Sequence, residues 1–248
     1  MVKIRLFNAN NYIRLVLGGI FNFLKYERGE LMTRQELRAR FRVESPEITE
    51  RVITDSQLNT MMLDANLEVS CETRCIVRNE PIALDSVEDQ QFYDLQTLVP
   101  SFYAIDDLPG DGVSYDGSSL DKSSPGEEKY LSKTWRSREA GTPKRYWLRG
   151  GRYLWLDRKP DTSDLEILVE CVLYPEDFDG DSDEPFNGLE HLQVFAPAII
   201  KYCQWQTKAK VGKPEESAIA YNVYAKYVAW MKKTIKGGKH GAIFIKPA

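Results

Sequence analysis

Four aspartates, Asp177, Asp179, Asp181 and Asp183, alternate through the run Asp177-Phe178-Asp179-Gly180-Asp181-Ser182-Asp183-Glu184. Carboxylates two apart are what a calcium loop uses to wrap a cation in oxygen ligands. Counted from Asp179, ligand positions one, three and five are Asp179, Asp181 and Asp183, and position twelve is Glu190. The sixth position, where the loop needs glycine for its sharp turn, is Glu184, and Pro185 follows. The run therefore reads as a solvated loop or an acidic docking loop.

Other chemistries each lack a part. Gly212-Lys213 and Gly238-Lys239 have neither the upstream glycine nor the following Ser or Thr of a phosphate-binding loop, and no G-x-S-x-G elbow occurs. The two histidines, His191 and His240, fall at a helix start and in a glycine-rich tail, places for a satisfied or solvated imidazole. Cys71, Cys75, Cys171 and Cys203 have no metal-finger spacing and read as free thiols in a reducing compartment. Cys71 and Cys75, four apart, are expected to share a helix face. The residues call for no catalysis, no metal and no cofactor.

What remains is recognition by rings and cations. Lys144, Arg145, Tyr146, Trp147, Arg149, Arg152, Tyr153 and Trp155 interleave the two as in strands on which nucleobases stack. Strand alternation separates Tyr146 and Leu148 from Arg145, Trp147 and Arg149, so a half-buried sheet also accounts for them. Tyr221, Tyr224, Tyr227 and Trp230 are more rings than one core face of a helix needs. Amphipathic rings on two faces favour a subunit interface, with a thick helical core as the rival.

Hydrophobic spacing predicts the elements that position these residues. Thr33 and Glu36 form a capping box for a short helix through Leu37 and Phe41, which stops near Ser45-Pro46 and leaves a hinge over 43–53. A longer helix starts at Thr54-Asp55, carries Leu58, Met61, Met62, Ala65 and Val69 on one stripe, and runs to about Val77. After Pro81 the pattern turns to strands at Ile82 and Leu84, at 91–95 and at 102–105. A loop-rich zone follows from Pro109 to Gly126, with a short helix ending near Trp135. Arg145 to Leu156 is a hairpin turning at Gly150-Gly151, and Leu165 to Leu173 adds a third strand. Leu192, Phe195, Ala196, Ile199, Ile200 and Cys203 open an αα-hairpin that stops and restarts at Gly212 and Pro214. Beyond Ile235 the glycines predict an end to helix, and Ala242-Ile243-Phe244-Ile245 a strand with no mate in its own chain.

Composition bounds what the whole can be. The 248 residues are 42% hydrophobic and 28% charged, which excludes wholesale disorder, collagen-like repetition and a multi-span membrane protein. A net charge of −4 argues against a protein that binds nucleic acid through its entire surface. Charge is segregated: residues 157–190 hold twelve acidic and two basic side chains, and 201–248 hold ten lysines against Glu215 and Glu216. Lys3, Arg5 and Arg14 precede the apolar run from Leu15 to Phe21, but Asn22 interrupts it, so this segment is expected to pack on the core or a partner subunit. The fold class is α+β, a helical bundle built from the long helix and the αα-hairpin, with an inserted antiparallel β region. Its parts are an N-terminal arm and short helix (1–53), the bundle (54–80 and 189–236), the β-rich insertion (81–188) and a C-terminal arm (237–248).

The order of elements resembles a known family. Asp55-Ser56-Gln57-Leu58 and Ala65 on a helix, Gln90 to Leu95 on an aromatic strand, Gly141-Thr142-Pro143-Lys144-Arg145-Tyr146 before Leu154-Trp155-Leu156, and two tyrosine-bearing helices are similar to the head-to-tail connector, or adaptor, proteins of tailed bacteriophages. The likeness spans roughly Thr54 to Met231. It implies a non-enzymatic virion protein of the neck, assembled in the host cytoplasm as a homo-oligomeric ring of about twelve copies. The ring would join the portal protein to tail or neck proteins, with genomic DNA passing through and no membrane involved. It also implies that the C-terminal arm, with Lys239, Ile243, Phe244, Ile245 and Lys246, reaches the portal. Alternatives are another neck completion or tail terminator protein and, in a different class, a DNA-binding protein.

Overall fold

The computed structural model describes residues 32–106, 112–131 and 138–239, with the backbone course alone for 236–239. The N-terminal apolar segment lies outside the described residues.

Helix α1 (Arg34–Glu44) begins at the predicted capping box: the Thr33 hydroxyl accepts the Glu36 amide at 3.3 Å, and the Glu36 carboxylate accepts the Thr33 amide at 2.8 Å. It buries Leu37 and Phe41. The stretch expected to be a hinge is instead fastened. Ile48 and Ile53 are buried, and the Arg42 guanidinium donates to the Ile48 and Ile53 carbonyls, both at 2.8 Å, and to Asp55 at 2.7 Å.

Helix α2 (Asp55–Thr73) opens on a second box, Thr54 with Gln57, and buries the predicted stripe. It ends before Val77 because Arg74 turns left-handed, at φ 55°, and Ile76 and Val77 join the sheets: the Leu173 amide bonds the Ile76 carbonyl at 2.8 Å, and Val77 bridges Val172. Cys75 thus lies past the helix end and shares no helix face with Cys71.

Among the described residues, the middle of the chain holds ten strands: β1 (Ile82–Asp85), β2 (Phe92–Asp94), β3 (Phe102–Ile105), β4 (Val113–Tyr115), β5 (Ser118–Ser119), β6 (Asp121–Lys122), β7 (Arg145–Arg149), β8 (Tyr153–Leu156), β9 (Glu166–Val169) and β10 (Cys171–Leu173). Two short helices, α3 (Leu95–Leu98) and α4 (Pro125–Leu131), lie among them. The sheet orders are β1-β9-β4-β5, β10-β3 and β2-β8-β7-β6. All these pairings are antiparallel except β6 with β7, which is parallel.

Two expectations are corrected here. The loop-rich zone contains β4, β5 and β6: β4 and β6 are stabilised by distant partners on β9 and β7, and β5 folds back on β4. The predicted third strand is two. At Glu170 the chain leaves one sheet for another, its amide bonding Gly112 and its carbonyl accepting from Asp106. Neither half pairs with the hairpin. The hairpin itself forms where the glycines put it, Gly150 and Gly151 both taking φ above +60° and the Arg152 amide closing on the Arg149 carbonyl at 3.3 Å. The predicted helix end at Trp135 lies outside the described residues.

Helix α5 (Pro197–Lys210) starts later than its apolar spacing suggested. Pro197 has no amide proton to donate and suits a first helical position, so Glu190–Phe195 forms a separate 3₁₀ turn. Val211, Gly212 (φ 75°) and Lys213 lead into helix α6 (Pro214–Lys239). The helix continues through Gly237 and Gly238 to Lys239, past the predicted end at Ile235. Two glycines cost about 1 kcal/mol each in a helix interior, a cost that is smaller at a terminus where few bonds remain to be made.

The chain is thus a mixed α+β protein with two apolar cores. One gathers α1, α2, α5 and α6, and includes Phe178 and Phe186, so residues 174–188 pack with the helices although they were grouped with the strands. The other fills the space between the sheets with Tyr93, Phe102, Tyr115, Leu154 and Ile167 among others. Leu173 packs against both.

Candidate functional site

The structure divides the four rings assigned to a subunit interface. Tyr224 is only 3% exposed; its hydroxyl donates to Glu68 at 3.0 Å, and its ring meets Tyr202 edge-on at 5.5 Å. Burial and the nearby Glu68 carboxylate push its pKa up, and burial above all pushes Tyr202 up to about 12. Tyr224 is therefore a core residue, and its place in an interface is withdrawn. Tyr227 is half-buried against the same core. Tyr221 and Trp230 remain on the surface, Tyr221 against Trp205 at 4.9 Å and Trp230 edge-on to Phe195 at 4.8 Å.

The acidic loop is likewise turned partly inward. Asp181 accepts from Arg38 at 3.0 and 3.2 Å and lies 3.4 Å from Arg34, so these guanidinium groups hold its carboxyl below the usual range. The Asp183 carboxylate accepts the Asp179 and Gly180 amides, at 3.0 and 2.6 Å. Its backbone receives the first amide of α1, Arg34 to the Asp183 carbonyl at 2.8 Å, while Phe178 is buried beneath. The loop thus clamps the N-terminus of α1. Asp177, Asp179 and Asp181 are all exposed, and of these Asp177 and Asp179 have no ion pair among the described residues, which leaves them for a docking role. A groove of about 260 Å³ beside this clamp is lined by Gln35, Arg38, Ala39, Arg42, Glu50 and Asp55. Its two arginines are already engaged, Arg38 with Asn59 and Asp181, and Arg42 as described above.

Of the C-terminal arm, Lys239 is the last residue of α6, while Ile243, Phe244, Ile245 and Lys246 lie outside the described residues.

The hairpin presents a further ring system. Phe92, Trp155 and Trp147 lie in register across β2, β8 and β7, with centroids 5.2 and 6.1 Å apart and planes inclined by 21° and 20°. Tyr153 meets Phe92 edge-on at 6.2 Å, and the Arg149 guanidinium lies 5.5 Å over Trp155. Because the rings stack on one another, a nucleobase has no open ring face between them. Arg152 is held by Asp94, the N-cap of α3, through two charge-assisted hydrogen bonds.

No family model and no curated protein matches this chain. The reading of its sites therefore rests on geometry.

Among the described residues, no group of three or more His, Cys, Asp or Glu side chains could hold a metal, and no helix is long and apolar enough to cross a membrane. The four cysteines are free. Burial pushes the thiols up, Cys171 to about 11, which keeps them protonated and weakly nucleophilic. His191 is exposed, and Gly212 makes a helix-to-helix turn without a phosphate loop.

Sequence reasoning missed two features. Glu128 on α4 is 0% exposed and faces Arg138 at 3.0 Å and Arg145 at 2.8 Å, with Asp157 accepting the Lys144 and Arg145 amides alongside. This buried network anchors the base of the hairpin. The second feature is a pair of exposed apolar residues on α2, Leu63 and Leu67. They stand off the buried stripe at i, i+4, and that offset was visible in the sequence.

Proposed function

We propose that the protein is a structural virion subunit, an adaptor that assembles as a ring and joins the portal vertex of a phage capsid to the tail while DNA passes through. The observation that supports this reading is the layout of the two cores. Helices from the first third and the last quarter of the chain share one core, and strands between them build another. A helical bundle carrying a β insertion, with α5 and α6 as an αα-hairpin, is the arrangement implied by the adaptor resemblance. The function is assembly, through contacts that gain strength by repetition around a closed ring. Tyr221 and Trp230 are its subunit-facing rings, Asp177 and Asp179 its acidic docking residues, and the segment from Lys239 through Lys246 its portal-binding arm.

The arm assignment is tested by mixing the full chain, and a chain lacking residues 240–248, with the portal protein in a pull-down. The full chain is expected to be retained and the shortened one lost. Equal retention of both would overturn the arm assignment, and retention of neither would overturn the adaptor reading.

A further inference from the structure

We infer that neighbouring copies meet through two different helix faces, the outer face of α2 on one copy against the outer face of α6 on the next. This inference rests on the ring reading and specifies its contact.

The two faces are complementary in charge. Every charged side chain of α2 is acidic: Asp55, Asp64, Glu68 and Glu72. After Glu216, every charged side chain of α6 is a lysine: Lys226, Lys232, Lys233, Lys236 and Lys239. On their inner sides the helices already meet within one chain through this chemistry, Lys232 with Glu72 at 2.8 Å and the Tyr224 hydroxyl on Glu68 at 3.0 Å. On their outer sides the same chemistry is unpaired. Thr60, Leu63, Asp64 and Leu67 follow i, i+3, i+4, i+7 spacing on α2, with Leu63 38% and Leu67 43% exposed. Ile219, Lys226, Trp230 and Lys233 follow i, i+7, i+11, i+14 spacing on α6, with Ile219 65% and Trp230 48% exposed. Asp64, Lys226 and Lys233 have no ion pair among the described residues.

Past the first turn of α6, where Glu215 precedes Ile219, its face sets Trp230 beside Lys226 and Lys233, and the α2 face sets Leu63 and Leu67 beside Asp64, the composition of an interface centre with a steering rim. The faces carry opposite charges, so α2 against α2 and α6 against α6 are both repulsive. Only the unlike pairing is favoured, and unlike pairing is heterologous, the kind that closes into rings.

The test uses the full chain as wild type, as Asp64→Lys, as Lys226→Glu with Lys233→Glu, and as an equal mixture of the two variants, with native mass spectrometry reading the ring. All three substituted positions are exposed, so the fold is expected to persist, and circular dichroism checks it. Each variant alone is expected to lose ring by about tenfold, because like charges now face each other at every contact. The mixture is expected to recover it, because a reversed α2 face then meets a reversed α6 face and the two unaltered faces meet each other. If either variant rings as wild type does, or the mixture fails to recover, the face assignment is overturned while the ring reading stands. If wild type forms no ring, with the portal protein present or absent, both fall.

Discussion

Replacing Phe186 by alanine is expected to destabilise the protein by about 3–5 kcal/mol, the range for deleting a buried phenylalanine ring. Phe186 is fully buried in the helical core, yet its backbone is left-handed at φ 57°, followed by Asn187 at 56° and Gly188 at 66°. Left-handed backbone costs a residue with a Cβ about 1–2 kcal/mol. Two compensations hold it there: the ring in the core, and the Phe186 amide donating at 3.0 Å to the side-chain oxygen of Asn66, itself buried on α2. The alanine variant keeps the unfavourable backbone and loses the ring. Its thermal midpoint should fall by roughly 6–20 °C for a chain of this size. A shift below about 2 °C would show that this turn is not what fastens the segment before α5 to α2.

Replacing Glu128 by alanine is expected to cost about 2–4 kcal/mol, toward the lower end of the effect of removing one partner from a buried ion pair. The carboxylate is fully buried, accepts the Ser123 hydroxyl at 2.8 Å, and neutralises Arg138 and Arg145. Without it the two arginines are left to Asp157, at 3.4 and 3.7 Å. Their partial exposure lets water recover part of the loss. Glu128→Gln, which keeps the shape and removes the charge, should fall between wild type and alanine. The check is urea unfolding followed by tryptophan fluorescence, since Trp147 and Trp155 report the hairpin directly. An alanine variant with the wild-type midpoint would show that the network does not support this sheet.

How far the sequence revealed these arrangements depended on how local the cause was. The capping box at Thr33, the helix start at Thr54 and the turn at Gly150-Gly151 are set by residues within three or four positions, and each formed where the pattern put it. Strands β4 and β6 carry too few residues for periodicity and exist through pairing with β9 and β7 far along the chain. The acidic loop misled for the same reason, because nothing near Asp181 indicates that Arg34 and Arg38 will reach it. Tyr221 and Tyr224 look alike in composition. Only the spacing of Ser217, Ala220, Tyr224, Val228 and Met231, all buried, shows which of the two faces inward. In the same way Leu63 and Leu67 are ordinary leucines until the stripe of Leu58, Met61, Met62, Ala65 and Val69 fixes the opposite side as core.

The central claim, a protein whose work is to close into a ring, is tested most directly by the native mass of the purified full chain over a range of concentrations, alone and with the portal protein present. The account predicts one discrete closed species of about twelve copies that grows in with concentration or on adding the portal, with few intermediates because a ring gains its last contact only on closure. A chain that stays monomeric at every concentration, with the portal present or absent, would contradict it.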